Sequence, residues 1–240
     1  MTSKLILIVG LLLTGCSQIY PVAQPAPDAV AFAAQPAPLL TPDQAVSSFV
    51  QVIERVEPVA EAICRQRTRG VNCDLQIVVD GRPNLPPNAF QTVDKAGRPI
   101  VGFTVALIAD ARNPDEIAFI LGHEAAHHIA GHIPRRLEQA QTSAILASIA
   151  AQATGAGPEA VRAAMSMGAQ FGARQYSRDF ELEADVLGTE IAYRAGYDPV
   201  RGAAFFDRVP DPGDQFLGSH PPNSERQALV RLTAAGLIPY

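Results

Sequence analysis

At 240 residues, with 48% hydrophobic and 18% charged side chains, the chain has the composition of one ordinary globular domain with appendages, not of a disordered polymer. Its formal net charge of −5, without any run of Lys and Arg interleaved with aromatics, offers no basic field to a nucleic acid.

The first element is the leader "MTSKLILIVGLLLTGCSQ". Lys4 precedes an apolar run, Leu5 to Leu13, that has the length of a secretory signal and falls short of the ~20 residues of a membrane-spanning helix. We therefore read residues 1–15 as a signal peptide. Leu13-Thr14-Gly15-Cys16 resembles the lipobox of bacterial lipoproteins, which implies cleavage before Cys16 and lipidation of its thiol. Ser17 follows where inner-membrane retention would use Asp, so the resemblance implies an outer-membrane anchor with the domain facing the periplasm. Acyl chains contribute roughly 0.8 kcal/mol per buried CH₂, enough for durable anchoring when several are attached. With Cys16 assigned to lipid, Cys64 and Cys73 remain as a pair in an oxidising compartment. A disulfide fits them better than a zinc knuckle, whose thiols stand closer together.

Residues 16–40 carry Pro21, Pro25, Pro27, Pro36 and Pro38, the composition of a semi-extended tether. Folding is expected to begin at "TPDQAVSSFVQVIERV", where Thr41 caps a helix, Pro42 takes its first position and Gln44 completes a capping box. The domain is then 41–240. "LQIVVD" at 75–80 reads as a strand by its β-branched content, and "RPIVGFTVALIAD" at 98–110 as a second strand followed by a turn. "NPDEIAFILGHEAAHHIAGHIP" is the best-marked helix, with Asn113 as cap, Pro114 first and Glu116 at the capping-box position. Gly131 and Pro134 mark its expected end. Residues 140–172 read as an amphipathic helical pair around Gly155–Pro158, too short to span a bilayer, and a further helix runs through "SRDFELEADVLGTEIAYRAG" to Gly196. The fold class expected is α+β, predominantly helical, with a small sheet beside the histidine-bearing helix.

That helix holds four of the five histidines. Residues four apart share a helix face, so His123 with His127 and His128 with His132 each qualify as a ligand pair. His123-Glu124-Ala125-Ala126-His127 is the HExxH arrangement, in which two histidines hold zinc and the glutamate acts on a water. His132 stands near the expected helix end, where a cap or a carbonyl contact is the alternative role. A third ligand has to come from elsewhere, because Ala130 and Ile133 lack the metzincin pattern. Glu181 and Asp185 share one face of their helix, with Glu183 nearly opposite. Glu181 is thus the candidate third ligand, and Asp185 the candidate acceptor for the Nδ1–H of a ligand histidine. A solvated acidic face paired with Arg178 is the competing reading.

Five segments in order then resemble the HtpX-like and BepA-like zinc metallopeptidases, relatives of the CaaX prenyl protease: "PPNAF" at 86–90, "DEIAFILGHEAAHHIAGH", "YSRDFELEADVLG", "AGYDP" and "SHPPNSERQALV". The resemblance implies a gluzincin-type, zincin-like endopeptidase with one zinc on His123, His127 and Glu181 and Glu124 as general base. It departs from many relatives in having no membrane-spanning segment after the leader, and Ser219 stands where relatives often have Thr. The form expected is a minimal envelope lipoprotein acting on unfolded or misassembled envelope proteins, with extended substrates pairing along the strand around Val101–Ala109. The alternative is an assembly factor or chaperone for outer-membrane proteins with little proteolysis. His220 keeps three readings: a transition-state hydrogen-bond donor, a latch on the metal's fourth position, or a structural His-Pro turn. Arg226 is expected to pair with a carboxylate near the site.

Overall fold

A computed structural model describes residues 38–175, 177–210 and 221–237 of the chain; Cys16, His220 and nearly all of the tether lie outside the described residues. The first helix, α1 (Pro42–Arg67), starts as the sequence demands. The Thr41 hydroxyl accepts from the Gln44 amide, and the Gln44 side chain accepts from the Thr41 amide at 3.0 Å. Its buried side chains, Phe49, Val52, Val56, Ala60 and Ile63, recur every three or four residues and form one apolar stripe. Cys64 at its last turn is disulfide-bonded to Cys73, with Cα atoms 5.7 Å apart.

Three strands follow: β1 (Gln76–Asp80), β2 (Ala89–Val93) and β3 (Pro99–Thr104). Their order is β1-β3-β2, with β3 parallel to β1 and antiparallel to β2. Val101 and Phe103 point from β3 into the core, where Phe103 meets Phe49 of α1 edge to face at 5.2 Å. This corrects two expectations. The segment from Ala89 to Val93, for which no strand was expected, is β2. Beyond Thr104 the chain forms helix α2 (Val105–Asp110) rather than continuing the strand to a turn, because the Thr104 hydroxyl caps the Leu107 amide. It also removes the expected docking strand: β3 is hydrogen-bonded on both sides and has no edge to offer, whereas β2 is an edge strand.

Helix α3 (Pro114–Ile129) is the centre of the fold. Asn113 caps it by accepting from the Glu116 amide, and the helix is buried almost all round, between α1, the sheet and α6. It stops at Gly131, whose φ of 66° is the left-handed conformation that terminates helices. The chain does not leave helical structure there. Helix α4 (His132–Ala153) starts at once, so Pro134 lies in a first turn instead of beyond an end. Helices α4 and α5 (Pro158–Gln175) form a hairpin; α6 (Ser177–Arg194) returns against α3, and α7 (Pro199–Gly202), a 3-10 turn (Ala203–Asp207) and α8 (Asn223–Leu237) complete the described chain. No helix among the described residues is long and apolar enough to cross a membrane.

Candidate metal centre

Helices α3 and α6 cross at two glycines. A Cβ on Gly122 would come within 2.7 Å of the Gly188 carbonyl oxygen, so only this pair permits the backbones to approach so closely. The residue after Gly122 on α3 is the first histidine, His123, and one and two turns back from Gly188 along α6 lie Asp185 and Glu181. The crossing therefore sets the distance across which the two helices share a site.

His123 and His127, four apart on α3, turn their Nε2 atoms toward each other at 3.0 Å. Glu181 completes a triangle, with one carboxylate oxygen 3.4 Å from His123 Nε2 and the other 3.5 Å from His127 Nε2. Ligands about 2.0–2.1 Å from a tetrahedral zinc stand roughly 3.3 Å from one another. The three separations fit that requirement, and the donor set of two imidazoles and a carboxylate is one zinc accepts. Among the described residues this is the group of His, Cys, Asp and Glu side chains that could hold an ion.

The surrounding charges hold these candidate ligands in place. Asp185, fully buried, stands 2.9 Å from His123 Nδ1 and receives two hydrogen bonds of 2.7 Å from the Arg226 guanidinium on α8. Burial alone would raise the Asp185 carboxyl, yet the bonds from Arg226 and His123 hold it below the usual carboxylate range. Burial likewise pulls on His123, but hydrogen bonds to Asp185 and Glu181 outweigh it and push the imidazole up to about 10. His127 goes the other way, down to about 3, through burial and the neighbouring His123 charge. Arg226 is itself packed on the Phe206 ring, 4.1 Å from its centroid, and its charge is felt by Glu181 and Glu124.

Glu124 lines both clefts that open on the ligand triangle. One is bounded by Ala89 and Gln91 of β2, His132 and Phe180. The other, of about 320 Å³, is walled by Leu107, Phe119, Ile120, Phe205 and Phe206 and is largely apolar. The site thus has a carboxylate beside the candidate ligands, an apolar recess on one side and an edge strand on the other.

The second histidine pair does not form a site. His128 points away and its Nε2 meets the Asn72 carbonyl at 2.7 Å, tying α3 to the disulfide loop. His132 instead turns back to His127, Nδ1 to Nδ1 at 2.7 Å, and its Nε2 lies 3.2 Å from Glu183. Glu183 leaves the ligand face of α6, as its helical position requires, but it meets His132 and Arg135 of α4. Sequence reasoning missed the role of this contact. The available signal was His132 placed directly after a helix-terminating glycine. Arg226 does pair with a site carboxylate, Asp185.

The profile of peptidase family M48 matches residues 49–233. Mitochondrial metalloendopeptidase OMA1 of Saccharomyces cerevisiae is 29% identical over 167 residues, covering 65% of this chain and 46% of the relative. The beta-barrel assembly-enhancing protease of Yersinia pestis is 30% identical over 150 residues, 56% of this chain and 30% of the relative. Its counterpart in Escherichia coli K12 is 29% identical over 148 residues, with the same coverage of both chains. The chain thus spans less than half the length of these relatives. The profile match takes in both histidine-bearing and carboxylate-bearing helices and most of the sequence, so the chain carries a metallopeptidase domain and belongs to peptidase family M48.

Proposed function

We propose that the chain is a zinc-dependent endopeptidase of the bacterial envelope, holding one zinc on His123, His127 and Glu181 and hydrolysing peptide bonds in unfolded or misassembled envelope proteins. The observation that carries it is the ligand triangle with Glu124 between its two histidines on the same helix. A scaffold needs the ligands but not the base. A zinc ion bound there would supply Lewis-acid polarisation of the scissile carbonyl and acidification of a water.

The residues of the chain do the rest. Glu124 takes the proton from the attacking water and delivers it to the leaving amine. Asp185, gripped by Arg226, accepts the Nδ1 proton of His123 and fixes that ring's tautomer. An extended substrate adds as a strand to the outer edge of β2, whose Ala89 and Gln91 border the cleft. Such pairing reads backbone, which suits unfolded chains. The recess between Phe119, Phe205 and Phe206 receives an apolar side chain near the scissile bond. His220, as donor to the oxyanion or as latch, is distinguished by His220→Ala: activity falls in the first case and rises in the second.

The leader supports a location at the outer membrane. Residues 1–15 are removed, Cys16 is lipidated, and residues 16–40 hold the domain off the periplasmic face of the outer membrane. Relatives named for enhancing β-barrel assembly favour a second reading, an assembly factor with minor proteolysis. The test uses the full chain in detergent, loaded with zinc, against an outer-membrane β-barrel protein either unfolded or folded. Cleavage of the unfolded form alone, stopped by a chelator and restored by zinc, is expected. A zinc-loaded chain that cleaves neither would overturn the peptidase reading in favour of the assembly factor.

A further inference from the structure

His127 presents Nε2 to the ligand triangle, which leaves its Nδ1 for another partner. That partner is His132, Nδ1 to Nδ1 at 2.7 Å. His132 is itself held in place: it is buried and stacked on Phe180, with ring centroids 4.5 Å apart and planes 11° from parallel. Its Nε2 lies 3.2 Å from a Glu183 oxygen, and the same oxygen accepts from Arg135 at 2.8 Å. Gly131, in its left-handed conformation, is what folds His132 back against the preceding helix.

The donors and acceptors in this chain admit one assignment if Nε2 of His127 is a ligand. A ligating nitrogen offers its lone pair, so the proton of a neutral His127 sits on Nδ1 and is donated there. Two facing Nδ1 atoms share one proton, so Nδ1 of His132 accepts. The proton of His132 then sits on Nε2 and is donated to Glu183, whose charge Arg135 balances. Each link has one donor and one acceptor. Reversing the first would leave the His127 lone pair facing away from the ion and set a His132 lone pair against the Glu183 carboxylate.

We propose that His132, Glu183 and Arg135 form a positioning relay that locks His127 in its Nδ1–H tautomer and aims Nε2 at the metal. This rests on the metallopeptidase reading and gives each ligand histidine its own support: Asp185 and Arg226 behind His123, His132 and Glu183 behind His127. Outer partners of this type typically change metal affinity by about 10–100-fold.

The test measures the zinc Kd of the full chain by chelator competition in four forms: wild type, His132→Leu, His132→Asn and Glu183→Ala. Leucine fills the site without an acceptor, so His132→Leu should weaken zinc by about 10–100-fold. Asparagine restores an acceptor oxygen near the Nδ1 position and should recover most of that loss. Glu183 is half exposed and its removal leaves no core cavity; Glu183→Ala should weaken zinc by severalfold. Thermal unfolding of the metal-free forms separates misfolding from lost affinity, since the two His132 variants lose the same ring stack. Wild-type affinity in His132→Leu, or equal loss in the leucine and asparagine variants, would overturn the relay alone. A wild-type chain that takes up no zinc would overturn the metallopeptidase reading and the relay with it.

Discussion

The crossing of α3 and α6 predicts the effect of one methyl group. A Cβ placed on Gly188 would lie 2.7 Å from the backbone nitrogen of His123 and 2.9 Å from its Cα. Ordinary contact begins near 3.4 Å, so the helices must separate locally by about 0.7 Å. Metal–ligand distances hold to within about 0.2 Å, and Glu181 stands two turns from Gly188 on the same rigid helix. The shift cannot be absorbed at the ligands without loss. Gly188→Ala should therefore lower the unfolding free energy of the metal-free chain by about 1–3 kcal/mol, the usual cost of overpacking. It should also raise the zinc Kd by tenfold or more, as displacing a supporting group does. Gly202→Ala is the control. Its Cβ would press on the Asp115 carbonyl oxygen at 2.5 Å and on Phe119 Cβ at 2.7 Å, nearer the start of α3. It should destabilise to a similar degree and leave the zinc Kd within about threefold. Urea unfolding and chelator competition read the two quantities separately. Wild-type zinc affinity in Gly188→Ala, or an equal loss in Gly202→Ala, would refute the claim that this crossing sets the ligand geometry.

Three further outcomes are expected. Asp185→Asn removes the nearer carboxylate facing the buried Arg226, leaving Glu181 at 3.5 Å, and should cost about 3 kcal/mol in urea unfolding while weakening zinc about 10–100-fold; near-wild-type values for both would contradict the role given to Asp185. His123 in the metal-free fold is pushed up to about 10, above its unfolded value of about 6.5. Its contribution to stability is thus complete below about pH 6.5 and disappears as pH rises toward about 10. Metal-free protein should accordingly lose stability across that window. Zinc uptake at pH 7 should release about one proton, seen by calorimetry in buffers of different ionisation enthalpy; uptake without proton release would contradict the assignment. Reducing the Cys64–Cys73 disulfide, which closes a loop with a sequence separation of 9, should lower the unfolding free energy by about 2–3 kcal/mol; an unchanged urea midpoint would contradict it.

Much of this architecture was legible because its signals are local. Thr41 with Gln44, and Asn113 with Glu116, announce helix starts through side chains that satisfy amides three residues away. The pairing of His123 with His127 needs only the helical repeat. What was not legible is a cap that local composition masks, together with partners distant in sequence. Val105 to Ile108 have strand-forming composition, yet the Thr104 hydroxyl turns them into a helix. Strand β2 forms because β3 offers it an edge, and no alternation in "AFQTV" announces that. Glu183 reads as a surface acid until Gly131 is seen to fold His132 back toward it. That Arg226 pairs with a carboxylate near the site was expected, but which one was not: it lies 41 residues from Asp185, and no spacing rule joins them.

If Glu124 is the base of a zinc peptidase, its amide variant must bind the metal and fail in the chemistry. Wild type and Glu124→Gln, both as the full chain with one zinc confirmed, are set to digest the same unfolded envelope protein. Equal zinc content and a rate loss of at least about 100-fold in Glu124→Gln, the scale of a lost general base, are expected. Equal cleavage by both zinc-loaded forms would contradict that role.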